Sequence, residues 1–393
     1  MDSTPKDLLM EIFSRLPAKS VGRFRCVSKR WSSMLRRPYF TELFLTRSRA
    51  CPRLLFAIKG DRKGEWKFFS SSQPQMSSSL VVATGFQFKF FDDMKSDFCG
   101  YASGLICFCV TTFSEENENR VHVISNPSTG QYAILPKLGE HRSTRNFLGF
   151  DPIDKQFKIL SMVAKPSCDH DHRILSLGTG KMNWRKIQCP FTHKPSPFRG
   201  ICINGVIYYL ASFDQTSYVI ICFDVRSEKF KFIDIECFHD KLINYKGKLG
   251  VIQWKCVGDD SSIELTMVVL EDVEKREWSK HVYILPDDIK IVNWNLISIA
   301  GVTALGEIVL SINPISKPFY VFYYNPERND LRCVEIQGFG ENHGRVKVIV
   351  DHVEDLNVND AKILKSSISA PYAKRKRSLN MTRKKRKGDG HEV

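Results

Sequence analysis

Leu8, Leu9, Ile12, Phe13 and Leu16 recur at helical spacing near the start of the chain and share an arc of about 140° on a helical wheel. Lys6, Asp7, Glu11, Ser14 and Arg15 take the remaining arc. This pattern predicts an amphipathic helix over residues 5–16. Thr4 is placed to cap it, Pro5 suits the first helical position, and Asp7 lies near the positive end of the dipole. Pro17 then stops the helix. A second short helix is expected over 21–27, capped by Ser20, with Val21, Phe24 and Val27 on one face. A third, capped by Ser28, carries Trp31, Met34 and Leu35 at i, i+3, i+4 spacing and ends by Pro38.

After residue 51 the periodicity changes. Runs rich in Val, Ile, Phe and Tyr, such as 121–124, 205–210, 218–223, 265–270, 308–312 and 319–324, alternate with turn residues. Asn204-Gly205 between two such runs is a hairpin signal. Glycine turns ahead of an apolar run recur at Gly104, Gly205, Gly247 and Gly306, and the segment 147–160, turning at Asp151-Pro152, falls in the widest gap. The mean step is about 50 residues. A polar turn leading into an aromatic or apolar run recurs in parallel, at 64–66, 126–130, 180–184, 224–230, 273–278 and 325–331. Four short strands per repeat of this length predict β-propeller blades, and 51–364 holds about six of them. A large β-sandwich, or two smaller β domains, is the competing arrangement.

The expected fold class is therefore multidomain, α plus all-β. It comprises a three-helix unit over 1–45, a linker over 46–54, a propeller-like domain of about six blades over 55–364, and a disordered basic tail over 365–393. A helical unit of about 40 residues does not bury so many large side chains unaided, so part of its apolar surface must meet another protein or the next domain.

Composition narrows the function classes. The chain has 393 residues and no apolar run of the roughly 18–20 residues a membrane helix needs. Its first residues lack the layout of a secretory signal, so a cytosolic or nuclear protein is expected. The 12 cysteines include no Cys-x-x-Cys pair and are read mostly as small buried apolar residues. Cys107 and Cys109 alternate within a strand pattern and should share one core-facing side. Net charge is +15, with 11 basic and 4 acidic residues in 1–50, and 10 and 2 in 365–393. That leaves 37 of each in 51–364, so the middle is neutral. A nucleic-acid-reading fold would carry the surplus on the folded domain.

The tail holds two basic clusters, Lys374, Arg375, Lys376 and Arg377, then Arg383, Lys384, Lys385, Arg386 and Lys387. Such clusters suit a nuclear localisation signal. Weak nucleic-acid association through the tail is the alternative reading, and it predicts a steep salt dependence.

The string from Asp7 to Trp31 resembles an F-box nearly end to end, with Leu16-Pro17, Lys19-Ser20, Arg23-Phe24-Arg25, Val27-Ser28-Lys29 and Trp31 at the family's spacing. Thr4 stands where the family usually has an apolar residue before the first proline. The resemblance implies that Pro5, Leu8, Ile12, Leu16, Pro17 and Val21 face a Skp-family adaptor, and through it a cullin. It assigns Phe24, Val27, Trp31 and Leu35 mainly to holding the helices together. The middle segment resembles the F-box-associated, kelch-like domain of plant F-box proteins. Its matching residues are Gly100 to Ile106, Asn126 to Gly130 with Leu135-Pro136, Gly149 to Pro152, and Phe223 to Phe230. The implied function is a substrate adaptor of a Skp–cullin–F-box ubiquitin ligase, with an unknown target protein, no catalysis of its own and no cofactor.

The sequence has no nucleophile elbow, phosphate-binding loop or dinucleotide turn. A propeller enzyme would need an acid/base pair that the sequence does not identify. Cys168, Asp169, His170, Asp171 and His172 could ligate a metal, but the flanking Pro166 and charges favour an exposed loop, so no metal site is expected.

Overall fold

The computed structural model describes residues 5–356, except 61–64, 74–78, 82, 90–94, 114–117, 139–142, 165–169, 179–181, 197–199, 215–217, 236–240, 258–261, 286–295, 314, 316–317 and 340–343. The tail and both its basic clusters lie outside the described residues.

Four helices come first, not three. α1 (Lys6–Ser14) and α2 (Ala18–Phe24) each start directly after a proline, Pro5 and Pro17, whose extended backbone serves as the N-cap without a side-chain hydrogen bond. Ser20, expected as a cap, lies inside α2, and Thr4 lies outside the described residues. α3 (Lys29–Met34) is capped as expected, with Ser28 Oγ accepting the Trp31 N–H at 3.1 Å. α4 (Pro38–Ala50) is the added helix. Pro38 starts it rather than ending its predecessor, because a missing N–H costs nothing in a first turn. The expected linker over 46–54 is therefore the end of α4 and the start of the first strand. Met10, Phe13, Ala18, Val21, Met34, Leu35, Phe40 and Phe44 form the bundle core, joined by Leu356 from far along the chain.

The strands follow in groups. β1 (Arg53–Lys59), β2 (Glu65–Ser72), β3 (Ser79–Val81) and β4 (Ala83–Lys89) open the domain. Next come β5 (Lys95–Ala102), β6 (Leu105–Phe113), β7 (Glu118–Ser125) and β8 (Tyr132–Ile134). Then follow β9 (Ser143–Asp151), β10 (Gln156–Ala164), β11 (His170–Ser176) and β12 (Arg185–Ile187). β13 (Lys194–Pro195), β14 (Ile201–Ile203), β15 (Val206–Ser212), β16 (Tyr218–Asp224) and β17 (Phe230–Ile235) form the fourth group. The fifth is β18 (Lys241–Tyr245), β19 (Lys248–Val257), β20 (Ser262–Asp272) and β21 (Glu277–Ile284). The last strands are β22 (Ile297–Val302), β23 (Ile308–Ile312), β24 (Tyr320–Asn325), β25 (Asp330–Gln337) and β26 (Val346–His352).

These strands make six sheets, the six blades of a propeller, antiparallel throughout except where β3 joins. In the fourth blade the first position is split between β13 and β14, which both pair with β15. The first blade takes its first strand from the other end of the chain, in the order β26-β1-β2-β4. That pairing closes the ring and covers two edges that would otherwise be open. β3 adds to the sixth blade by pairing parallel to β25.

Both sequence repeats now have physical meaning. Gly104, Gly205, Gly247 and Gly306 sit in the turns between first and second strands, with φ of 81°, 84°, 85° and 90°. Only glycine adopts that conformation without strain. The polar turns precede fourth strands. Asn126, Asp224, Asp272 and Asn325 each accept a backbone N–H two or three residues on, at 2.6–3.0 Å. The occurrence at 64–66 belongs to a different hairpin, because Glu65 opens β2, the third strand of its blade. Cys107 and Cys109 are both buried in one cluster, as their alternation implied. Among the cysteines whose burial is described, Cys26, Cys51 and Cys333 are exposed.

Candidate functional site

α1 is amphipathic with a consequence for its outer side. Met10 and Phe13 enter the bundle core, while Leu8 and Ile12 are 50% and 48% exposed. Leu8 and Ile12 are four residues apart and lie on one stripe, with exposed Pro5 one turn before them. Leu16 and Pro17 continue it, half-buried, with Leu16 also packing on the core. Val21, expected on this face, is fully buried. Its position inside α2 points it at the core. Val27, expected in the core, is 64% exposed, because α2 ends at Phe24 and the following turn carries it clear of the bundle.

The inner side of the bundle is built to hold that stripe still. Phe13, Phe24 and Trp31 pack with centroids 4.9, 5.0 and 5.5 Å apart. Leu35 is fully buried, and the Arg25 guanidinium donates to its carbonyl at 2.7 Å. Glu11 accepts hydrogen bonds from Arg15 and from Arg47 of α4. These bonds hold its carboxyl below the ordinary range.

The bundle is strapped to the propeller by the segment after β26. A Glu354 carboxylate oxygen accepts the Ala18 N–H at 3.0 Å, and the Glu354 N–H donates to Ser48 Oγ at 2.7 Å. Burial raises the Glu354 carboxyl pKa, opposed by the Ala18 N–H. On the propeller side, Asn126 Nδ2 donates to the Asp355 carbonyl at 3.3 Å. His352 is fully buried and meets Tyr101 Oη and Ser128 Oγ, each at 3.0 Å, through its two ring nitrogens. Leu356 completes the strap inside the bundle core. Leu356→Ala is expected to cost about 3 kcal/mol, the range for a buried leucine truncation. Hydrogen exchange should speed up across α1–α4 and stay unchanged in β15 and β16; equal effects in both would contradict a local strap.

Strand direction assigns the two ends of the ring. First strands run toward the Gly104-type turns, and Gly104 lies against the Val353 carbonyl of the strap. The bundle therefore sits at that end. The opposite end is about 20 Å away, the rise of a six- to seven-residue strand. There the starts of β5, β18, β22 and β26 and the end of β1 surround a cleft of about 300 Å³. Lys59, Lys241, Arg345 and Lys347 line it against one carboxylate, Asp97. The Lys347 ammonium lies 4.4 Å from the Phe98 ring centroid, and Lys241 donates to the Ala300 carbonyl at 3.2 Å. The cleft is a cationic recess facing away from the bundle. Nothing in the sequence pattern singled it out, because its residues come from four separate blades.

The segment 168–172 does not follow the exposed-loop expectation. His172 lies in β11 and is 4% exposed, and its neighbours include Cys189 and His193. β11 pairs with β10 and turns His172 inward. Cys168 and Asp169 lie outside the described residues. No helix among the described residues is long and apolar enough to cross a membrane.

Comparison with known proteins covers both halves of the chain. Residues 5–43 match a family model described as an F-box domain, and residues 53–353 match one described as an F-box associated beta propeller domain. An F-box protein of Arabidopsis thaliana is 52% identical over 390 residues, covering 94% of this chain and 95% of that protein. Another from the same plant is 49% identical over 409 residues, covering 95% and 87%. Among solved structures, TolB from Acinetobacter baumannii is similar at a TM-score of 0.43 and 8% identity, covering 76% of this chain and 67% of that one.

Proposed function

Because the chain belongs to the F-box proteins that carry an F-box associated β-propeller, we propose that it is the substrate-recognition adaptor of a Skp–cullin–F-box ubiquitin ligase. The observation that carries this reading is the half-exposed Leu8–Ile12 stripe on a helix whose other side is locked into a core. A Skp subunit takes that stripe by helix-in-groove packing. The propeller takes a target protein, and other subunits transfer ubiquitin. The chain's own contribution is proximity, which raises the effective concentration of target lysines near the conjugating enzyme. The strap at Glu354–Leu356 suits this role, since a rigid bundle–propeller junction fixes the distance between the two.

The target side is placed on the cationic recess at the far end of the ring, with an acidic segment of the target as its occupant. Purified chain mixed with a plant Skp protein should form a one-to-one complex at micromolar concentration. Failure of the two to associate would overturn the adaptor reading. Lys59→Glu with Lys347→Glu should keep Skp binding and lose the proteins that co-purify from proteasome-blocked cells; an unchanged set would remove the recess from the target face.

We assign the clusters Lys374–Arg377 and Arg383–Lys387 to nuclear import, on their charge pattern alone. Deleting 372–393 is expected to move the protein toward the cytoplasm in fluorescence images of living cells. An unaltered distribution would refute this.

A further inference from the structure

We propose that His172, Cys189 and His193 form a three-ligand site for a zinc-class divalent transition metal that staples the third blade to the fourth. One ligand atom from each residue lies within 4.8 Å of the other two. Cys189 Sγ and His193 Nδ1 are 3.9 Å apart. Tetrahedral zinc with bonds of about 2.0–2.1 Å to nitrogen and about 2.3 Å to sulfur sets such a pair about 3.6 Å apart. This pair needs a contraction of only a few tenths of an ångström, and His172, within 4.8 Å of both, must move in further to complete the site.

The topology explains why the three meet. His172 lies in β11, in the interior of the third blade's sheet. Cys189 and His193 lie in the connection that leaves β12 and enters β13 of the fourth blade. A metal bound by all three would close a loop across the blade junction, where His172 and His193 already pack with ring centroids 5.1 Å apart.

The far side of the His193 ring is already held. His193 Nε2 is 2.9 Å from Tyr209 Oη, and Tyr209 is fully buried on β15, stacked on Phe147 at 4.5 Å. Outer partners of this kind fix the ring orientation of a ligating histidine. Nδ1 faces Cys189 at 3.9 Å and the Phe191 carbonyl at 3.4 Å, and binding would exchange the carbonyl contact for the metal.

The donor set selects the ion. Two imidazole nitrogens and one sulfur suit zinc or copper and not magnesium or calcium, which take oxygen ligands. His172 and His193 are 4% and 2% exposed, and Cys189 is half-buried. An adjoining cleft of about 530 Å³, with Asp171, Lys186 and Thr192 in its lining, supplies an entry path and a fourth position for water. Burial pushes the Cys189 thiol up to about 11, against a backbone hydrogen bond from Phe191, so without metal it holds its proton. Binding replaces the S–H bond with a metal–sulfur bond and releases one proton to solvent per ion.

The test uses the full chain without a polyhistidine tag, stripped with chelator under reducing conditions and titrated with Zn(II) or Co(II) alone. The expected result is one ion per chain by elemental analysis after gel filtration, with a thiolate-to-cobalt band in the near ultraviolet. The thermal midpoint should rise with Zn(II). Cys189→Ser should lose the near-ultraviolet band, and Tyr209→Phe should weaken binding about 10- to 100-fold at unchanged stoichiometry. Substoichiometric metal on the wild-type chain would overturn the proposal, whether or not the variants fold. So would a cobalt spectrum that Cys189→Ser leaves unchanged.

Discussion

Replacing Leu8 and Ile12 together by alanine is expected to weaken Skp binding by about 1,000-fold and leave the fold intact. Anchor side chains at the centre of an interface cost about 2 kcal/mol or more each when truncated, and two of them reach about 4 kcal/mol. The bundle loses little, because both side chains are about half exposed and neither belongs to its core cluster. Alanine also favours the helix. Leu16→Ala is a poorer probe, since Leu16 packs on the core as well as ending the stripe. Isothermal titration against purified Skp reads the affinity, and circular dichroism confirms the fold. A loss under tenfold with a native spectrum would move the docking surface off α1.

The same helices show which features a sequence exposes. The amphipathic character of α1 was legible from its 3.6-residue period, but its apolar arc grouped Phe13 with Leu8 and Ile12, and only packing separates Met10 and Phe13 in the core from Leu8 and Ile12 outside it. Helix starts were less so. Pro5 and Pro17 begin helices with no side-chain cap, and a pattern that looks for serine or threonine places the start of α2 three residues late. α4 was missed for a related reason. Pro38 reads as a stop as readily as a start, and Tyr39 is exposed beside buried Phe40, which blurs the amphipathic signal.

In the propeller, the number of blades was readable because four of the six repeat a left-handed glycine turn and an aspartate or asparagine turn, both dictated locally by backbone conformation, and their spacing sets the length of the others. Long-range associations carried no such signature. Glu354 finds Ala18 from 336 residues away. The cationic recess gathers lysines from separate blades. In the His172–Cys189–His193 cluster, His172 was considered only with its chain neighbours 168–171, and strand pairing brings it to Cys189 and His193 instead.

Acidification is expected to destabilise the propeller by about 4 kcal/mol between pH 7 and pH 5, through two buried neutral histidines. Burial, aided by the charge of Arg53, lowers the His352 pKa from 6.5 to about 3. Burial lowers that of His122 to about 4; the neighbouring Asn146 side chain opposes this and the charge of Arg120 adds to it. For both, the folded pKa lies below the unfolded one, so the unfolded chain binds more protons below pH 6.5. Their stability contribution is complete above that pH and is lost as pH falls toward the folded values. At pH 5 each is 1.5 pH units below 6.5, worth about 2 kcal/mol. Asp351 and Glu354, whose carboxyls burial raises, act in the opposite direction and offset part of the loss. His352→Gln separates the contributions. It keeps a donor and an acceptor for Tyr101 and Ser128 but cannot titrate. The unfolding free energy of this variant should change with pH by about 1.4 kcal/mol per unit less than wild type between pH 6 and 5, one proton's worth. Denaturant melts at half-unit pH steps measure this difference. Identical slopes would mean that His352 titrates freely in the folded chain and that ring closure does not depend on its neutrality.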